Sequence, residues 1–150
     1  MSRIGHSVPL QFLSPLHKAT RQLSLHIENL LADLGASPQE GHLLTYLNKY
    51  APAPVGELVR VFGFKQSTLT SILDRLERTG LVQRSINPED RRSFLVHITD
   101  AGRVVAEQSN RRLEAMEGEI LALVSARDVK GFEAVMRAMG EVARVQLRER

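Results

Sequence analysis

The sequence contains no cysteine among its 150 residues. Disulfides, zinc sites with thiolate ligands, catalytic thiols and cysteine-based redox sensing are therefore excluded. A continuous apolar run is also missing near the start, where residues 1–16 are interrupted by His6, Pro9 and Pro15. Because this segment lacks the length of a signal peptide or a membrane span, we expect a cytoplasmic protein with no membrane partner.

The sequence also lacks the patterns that mark most enzymes and nucleotide-binding proteins. It has no nucleophile elbow and no glycine-rich phosphate-binding loop, and its one adjacent acidic pair, Glu89-Asp90, lies in a predicted turn. Gly56, Gly63 and Gly80 punctuate helical segments, whereas dinucleotide binding needs glycines in a turn between a strand and a helix. We therefore expect a protein that is not an enzyme and carries no cofactor.

The composition is compatible with a nucleic-acid partner. The formal net charge is +3, and 43% of the residues are hydrophobic, which is enough for one well-buried core. A mild excess of arginine is common in soluble proteins, so the position of the charges must decide the partner. We expect a single domain over residues 1–150.

Apolar periodicity predicts mostly helical structure, with one change of period near the middle. Prolines at 52 and 54 cannot continue a helix, so residues 51–54 are predicted to form a connecting loop. Residues 81–86 and 93–99 are predicted to form a β-hairpin, because apolar residues alternate in the second segment and turn-forming residues separate the two. Helices are predicted over residues 15–34, 37–50, 55–62, 65–79, 101–124 and from 125 onward.

Three helix starts carry recognisable capping signals. Ser37 is followed by Pro38 and by Glu40, which is the pattern of a capping box with proline in the first helical turn. Thr99 is predicted to cap the helix after the hairpin, and residues 125–128 resemble a further capping box.

The two helices around Gly63 form a candidate helix-turn-helix, in which the second helix enters the major groove. The residues outside its apolar stripe are mostly short hydrogen-bonding groups, with a cation at each end, which suits base edges and phosphates. An ordinary amphipathic surface helix is the alternative. The candidate DNA-facing residues are Lys65, Gln66, Ser67, Thr68, Thr70, Ser71 and Arg75.

The predicted hairpin carries two adjacent arginines, Arg91 and Arg92, at its tip. At the tip of a wing, an arginine can enter the narrow minor groove, and Asp90 is placed to hold its guanidinium in a bidentate pair. The alternative is a solvated charged turn that protects the hairpin from aggregation. The order helix, helix, hairpin favours the wing.

Three stretches resemble the signature of MarR-type regulators: residues 76–84 (LERTGLVQR), Asp90-Arg91-Arg92 and residues 98–102 (ITDAG). The resemblance implies a mainly α-helical fold with a small β wing, and a homodimer in which the first and last two helices intertwine. It places the winged helix-turn-helix lobe at about residues 37–100. The dimerisation helices would then span about residues 10–34 and 101–147.

The same resemblance implies how the chain contacts DNA and what controls it. Gln66, Ser67, Thr68, Thr70 and Ser71 would face bases, Arg75 and Arg91 would contact phosphates, and Arg92 would enter the minor groove. The expected function is a transcriptional regulator, in the first instance a repressor, on a pseudo-palindromic operator. A small-molecule effector of the aromatic-acid type, bound in a cleft between the lobes, is expected to release it.

Two alternatives stay open at the level of the sequence. Winged helices also serve as protein-interaction modules without specific DNA binding, although the cations on the helix and wing argue against that role here. His17, His26 and His42 raise the question of a metal, but no two of them have the spacing of paired ligands on one helix, so no metal site is predicted.

Overall fold

The structure is a computed structural model that describes residues 10–143. Residues 144–147 of the predicted last dimerisation helix, and the segment with His6 and Pro9, lie outside the described residues. The described elements are, in chain order, α1 (Leu13–Leu31), a short 3-10 helix (Ala32–Leu34), α2 (Pro38–Tyr50), β1 (Ala53–Pro54), α3 (Val55–Phe62), α4 (Gln66–Arg78), β2 (Val82–Ile86), β3 (Phe94–Ile98), α5 (Asp100–Leu121) and α6 (Ala126–Ala143).

The capping signals place the helix starts where the sequence predicts them. The Ser37 hydroxyl accepts the backbone N–H of Glu40 at 3.2 Å, and the Glu40 carboxylate accepts the backbone N–H of Ser37 at 2.9 Å, which completes the capping box. Thr99 caps α5 by accepting the N–H of Gly102 at 3.0 Å. Ser125 and Asp128 exchange the corresponding bonds before α6.

Three predictions need correction. The helix after the hairpin was expected to run to residue 124, but α5 ends at Leu121. The first helix was expected to run to Leu34, but α1 ends at Leu31 and the 3-10 helix follows, ending at Gly35 in the left-handed region with φ 69°. Residues 51–54 were expected to be a loop, but Ala53 and Pro54 form a strand antiparallel to β3. Prolines do exclude a helix there, yet they favour extended backbone, and an edge strand tolerates the missing N–H.

The hairpin of β2 and β3 is confirmed, and with β1 it forms a three-stranded antiparallel sheet in the order β1-β3-β2. Val82 pairs with Ile98 at the base of the hairpin, and Ile86 pairs with Phe94 next to the tip. Because side chains alternate along a strand, one face of the hairpin base packs on the helices while the distal part extends beyond them.

The core fills the space between α2, α3, α4, the sheet and the first half of α5. Its leucines come from the apolar stripes that predict the helices, and the sheet adds inward-facing residues. Gly102 fits close to the sheet, since a Cβ there would lie 2.1 Å from the Leu81 carbonyl oxygen. The buried core consists of Leu43, Leu44, Leu47, Ala53, Leu58, Leu69, Leu73, Leu76, Val82, Val96, Ile98 and Ala106.

The terminal helices are largely uncovered in the single chain. Leu31 is the one buried residue of α1, and α6 has none, within the part of the chain that is described. Large apolar side chains such as Phe12, Leu13 and Phe132 are at least half exposed. None of the helices within residues 10–143 is long and apolar enough to cross a membrane.

Candidate nucleic-acid interface

The outward face of α4 carries the residues that the sequence predicts to face DNA. Leu69, Leu73 and Leu76 turn inward and are buried, which leaves the polar positions on the solvent side. Lys65 precedes the helix as its N-cap residue, in an extended conformation. All seven predicted positions are exposed: Lys65, Gln66, Ser67, Thr68, Thr70, Ser71 and Arg75.

Two hydroxyls on this face are bonded back to the helix. Thr70 Oγ1 donates to the Gln66 carbonyl oxygen at 2.9 Å, and Ser71 Oγ donates to the Ser67 carbonyl oxygen at 3.1 Å. A hydroxyl has one donor and two acceptor lone pairs, so in this arrangement each presents acceptors outward. Each hydroxyl can therefore accept a hydrogen bond from a donor on DNA. It does not match a phosphate oxygen, which is itself only an acceptor.

Arg75 differs from its predicted role in having partners within the protein. Its Nε lies 2.8 Å from Glu40 Oε1, and its Nη2 donates to Glu40 Oε2 at 2.9 Å and to the Gly35 carbonyl oxygen at 3.0 Å. Glu40 is buried, whereas the Arg75 side chain is 51% exposed. Arg75 therefore ties α4, the candidate recognition helix, to the start of α2, and contact with a phosphate stays a prediction.

The tip of the hairpin, residues 87–93, is closed by its own hydrogen bonds. The Asn87 N–H donates to the Ser93 carbonyl oxygen at 3.0 Å, and the Ser93 N–H donates to the Asp90 carbonyl oxygen at 2.9 Å. These bonds hold Arg91 and Arg92 in a defined turn, and both side chains point into solvent.

Asp90 orders this turn through the backbone more than through a side-chain pair. Its Oδ1 accepts the backbone N–H of Arg92 at 3.1 Å, while Arg92 Nε lies 3.8 Å from the same oxygen. The bidentate pair that the sequence suggested is therefore not formed, because 3.8 Å exceeds hydrogen-bond distance. The Arg92 side chain is 96% exposed and available to a partner.

Arg84 joins the wing to the recognition helix, which the sequence analysis missed. From β2, its Nη2 donates to Asp74 Oδ1 at 2.6 Å and its Nε donates to Glu77 Oε2 at 2.8 Å, both on α4. Hydrogen bonds from the Arg84 side chain and backbone N–H lower the pKa of the Glu77 carboxyl. The available signal was two acidic residues one helical turn apart, followed by a basic residue just beyond the Gly80 turn.

A cleft of about 430 Å³ opens between the winged lobe and the terminal helices. Its walls are mostly apolar and aromatic, and the Phe62 and Phe64 rings stack with centroids 5.5 Å apart. Gln39 and His42 add polar groups from the start of α2. The lining residues are Ile27, Pro38, Gln39, His42, Val61, Phe62, Phe64 and Leu113.

The histidines that the structure describes do not gather into a metal site. Residues 10–143 contain no group of three or more histidine and acidic side chains placed to hold a metal ion. His42 instead packs edge-on against Phe62, with ring centroids 5.5 Å apart.

Comparison with known proteins decides the family. The sequence model described as "MarR family" matches residues 36–94, which hold α2, both helices of the helix-turn-helix, β2 and the wing tip. The chain belongs to the MarR family. Its curated relatives are transcriptional regulators, and the helical architecture with its small sheet matches solved MarR-type winged-helix structures.

The individual matches show how far the likeness extends. The HTH-type transcriptional regulator YdgJ of Bacillus subtilis is 35% identical over 94 residues, which cover 63% of this chain and 57% of YdgJ. YpoP, a regulator of the same class and organism, is 30% identical over 97 residues, covering 65% of this chain and 68% of YpoP. The transcriptional repressor MdtR of B. subtilis is 27% identical over 63% of this chain and 61% of its own.

Among solved structures, the S. aureus MepR–DNA complex superposes with a TM-score of 0.83. The match covers 89% of this chain and 98% of MepR, at 17% sequence identity. At that identity the likeness shows the fold alone. It extends through the terminal helices, whereas the match to YdgJ spans a little over half of that relative's length.

Proposed function

We propose that this protein binds double-stranded DNA as a homodimer and represses transcription from a pseudo-palindromic operator in the cytoplasm, until a small molecule releases it. The observation that carries the proposal is the link between two exposed polar surfaces. One is the outward face of α4, the other is the hydrogen-bonded turn that presents Arg91 and Arg92, and Arg84 of β2 bonds the hairpin to α4. A helix for the major groove and a basic wing for the minor groove are thereby held in one unit.

The side chains of α4 suit base edges. Gln66 has the amide that pairs with adenine, and the outward lone pairs of Thr70 and Ser71 suit the amino groups of adenine or cytosine. Ser67 and Thr68 are short enough to let the helix approach closely. Lys65 and Arg91 supply charge for phosphates, and that charge gives affinity without sequence preference.

The uncovered terminal helices support a dimer. Both α1 and α6 carry apolar stripes that the single chain leaves exposed, and exposed apolar surface of this extent marks an interaction site. A second copy of the chain would cover them with a self-complementary interface. Two winged lobes would then contact two half-sites about one helical turn of DNA apart, roughly 10 base pairs.

The cleft beside α2 supports control by a small ligand. Its volume of about 430 Å³ is within the range of small-molecule sites, and its aromatic walls suit a flat apolar ring. His42 and Gln39 offer polar contacts to a carboxylate, which favours an aromatic acid. The residues next to Gln39 include Glu40, whose partner Arg75 belongs to the recognition helix. Ligand at the start of α2 would thus act next to a contact that positions α4.

An electrophoretic binding assay with genomic fragments, repeated across salt concentrations, tests the proposal. We expect a subset of fragments to be retained selectively, with an affinity that falls steeply as salt rises, because binding releases counterions from phosphates. Binding without that salt dependence, or no retention of any fragment, would favour a protein-interaction module instead.

A further inference from the structure

Two exposed apolar side chains lie directly beneath the wing tip. Ile86 is the last residue of β2 and Phe94 is the first of β3, and the two are directly paired across the hairpin. Ile86 is 62% exposed and Phe94 is 48% exposed. Neither contributes to the buried core, so the pair leaves apolar surface in water at the point where the hairpin leaves the body of the protein.

The strand register fixes the side of the hairpin on which this pair lies. Side chains two residues apart share a face, so Ile86 and Phe94 share the face of Arg84 and Val96. Arg84 contacts Asp74 and Glu77 on α4 from that face. Ile86 and Phe94 therefore lie on the side of the wing that faces the recognition helix, one cross-strand pair nearer the tip.

This position is bordered by charge suited to DNA. Arg91 and Arg92 lie just beyond the pair at the tip, and the polar face of α4 lies on the other side. When a helix occupies the major groove and a wing the adjacent minor groove, the sugar–phosphate strand between the grooves passes between them. Its phosphates are anionic, and the carbon atoms of its deoxyribose rings are apolar.

We propose that Ile86 and Phe94 form a contact surface for the deoxyribose rings of this strand, an inference that rests on the proposed DNA binding. The apolar pair packs on sugars while Arg91 and Arg92 neutralise the phosphates and enter the minor groove. A protein partner fits less well, because the pair is small and is bordered by the exposed, charged side chains of Arg91 and Arg92. The contact sets how deeply the wing sits against DNA.

The test uses the full chain with Ile86→Thr or Phe94→Thr, because threonine keeps the preference for strands and removes apolar surface without changing charge. The probes are a genomic fragment retained in the binding assay and a duplex of random sequence. Since every duplex has the same sugars, we expect each variant to lose about tenfold in affinity on both probes. The slope of log affinity against log salt should stay unchanged, because no phosphate contact is removed.

Arg91→Ala and Leu95→Thr are the matched controls. Arg91→Ala should lower the salt slope by about 1, a change that the threonine variants of the apolar pair should not show. Leu95 follows Phe94 on β3 but lies on the opposite face of the hairpin, so Leu95→Thr removes apolar surface away from the proposed contact and should leave both affinity and slope unchanged. Thermal unfolding of each variant shows whether the hairpin persists. If a threonine variant unfolds, Ile86→Val and Phe94→Leu replace it, with an expected loss of about twofold to threefold at constant slope.

The outcomes separate this inference from the proposed function. If the wild-type chain shows no salt-dependent DNA binding, the proposed function fails. If the wild type binds and Arg91→Ala lowers the slope, but the folded threonine variants bind within twofold of the wild type, the sugar contact is overturned. A folded threonine variant that lowers the slope also overturns it, because the pair would then only hold the arginines in place.

Discussion

At the scale of single residues, the surface of α4 divides into side chains that are free to contact DNA and one that is already engaged. Gln66 and Ser67 are exposed at the start of the helix, whereas Arg75 is bound to Glu40 and to the Gly35 carbonyl. The sequence pattern identifies which residues face outward, because the apolar stripe fixes the helix rotation. It does not show Arg75's inward partner, which lies 35 residues earlier in the chain.

Replacing Gln66 or Ser71 with alanine tests base recognition. We expect a loss of about 1 to 3 kcal/mol on a selected operator fragment and much less on random DNA, because base-edge contacts discriminate between sequences. Titrations of both probes at one salt concentration measure the difference. Equal losses on the two probes would assign these side chains to the DNA backbone.

Arg92 and Asp90 in the wing should both affect the sequence preference of DNA binding. Arg92→Ala should weaken binding most where the outer positions of the site are A·T-rich, since a narrow minor groove favours an inserted guanidinium. Asp90→Ala should reproduce that altered preference, because the carboxylate oxygen holds the Arg92 backbone N–H. Asp90→Asn is the control, since it removes the charge but keeps an acceptor oxygen, and it should preserve the preference. Tighter binding of Asp90→Ala at every site would show that the aspartate only repels DNA.

Arg75 should matter to stability as well as to any contact with DNA. Arg75→Ala leaves the buried Glu40 without its guanidinium partner, so we expect the free energy of unfolding to fall by about 1 to 3 kcal/mol. Arg78→Ala, at an exposed position of the same helix, should change it by less than about 0.5 kcal/mol. Chemical denaturation compares the two variants. If Arg75→Ala left the free energy of unfolding unchanged and only lowered the salt dependence of DNA binding, Arg75 would act only as a phosphate contact.

At the scale of elements, the helix starts and the hairpin were predictable because local side chains determine them. Ser37, Thr99 and Ser125 each accept a hydrogen bond from the first turn of the helix that follows, so a few neighbouring residues are enough to predict the helix start. Strand β1 was not predictable, since two residues become a strand only by pairing with Val96 and Leu95 of β3. The link from Arg84 to α4 likewise depends on how the hairpin folds back, which local periodicity does not encode.

The Arg84 link should contribute stability that depends on pH. Because Arg84 lowers the pKa of Glu77 in the fold, the contribution is present above the ordinary glutamate pKa of about 4.3 and is lost as pH falls through the lower folded-state value. Glu77→Gln should therefore lower the Tm at pH 7 and converge with the wild type in acid. Thermal melts of both proteins across that range measure it. Asp33 and Asp128 also have lowered pKa values, but they titrate equally in both proteins. A Tm difference that stays constant with pH would exclude the charge of Glu77 as its cause.

At the scale of the whole molecule, the winged lobe has a buried core whereas the terminal helices are largely exposed, and this difference predicts a homodimer. Leu13, Phe132 and Met136 expose apolar surface that a second copy would bury. Light scattering at micromolar concentration should give twice the 16.8 kDa mass of one chain. A stable monomer at that concentration would remove the dimer and with it the pair of half-sites.

Two linked winged lobes should bind one operator, which chemical footprinting on a selected genomic fragment measures. We expect two protected major-groove half-sites about 10 base pairs apart, flanked by minor-groove protection that Arg92→Ala removes. A single protected half-site, or protection that does not depend on sequence, would contradict it.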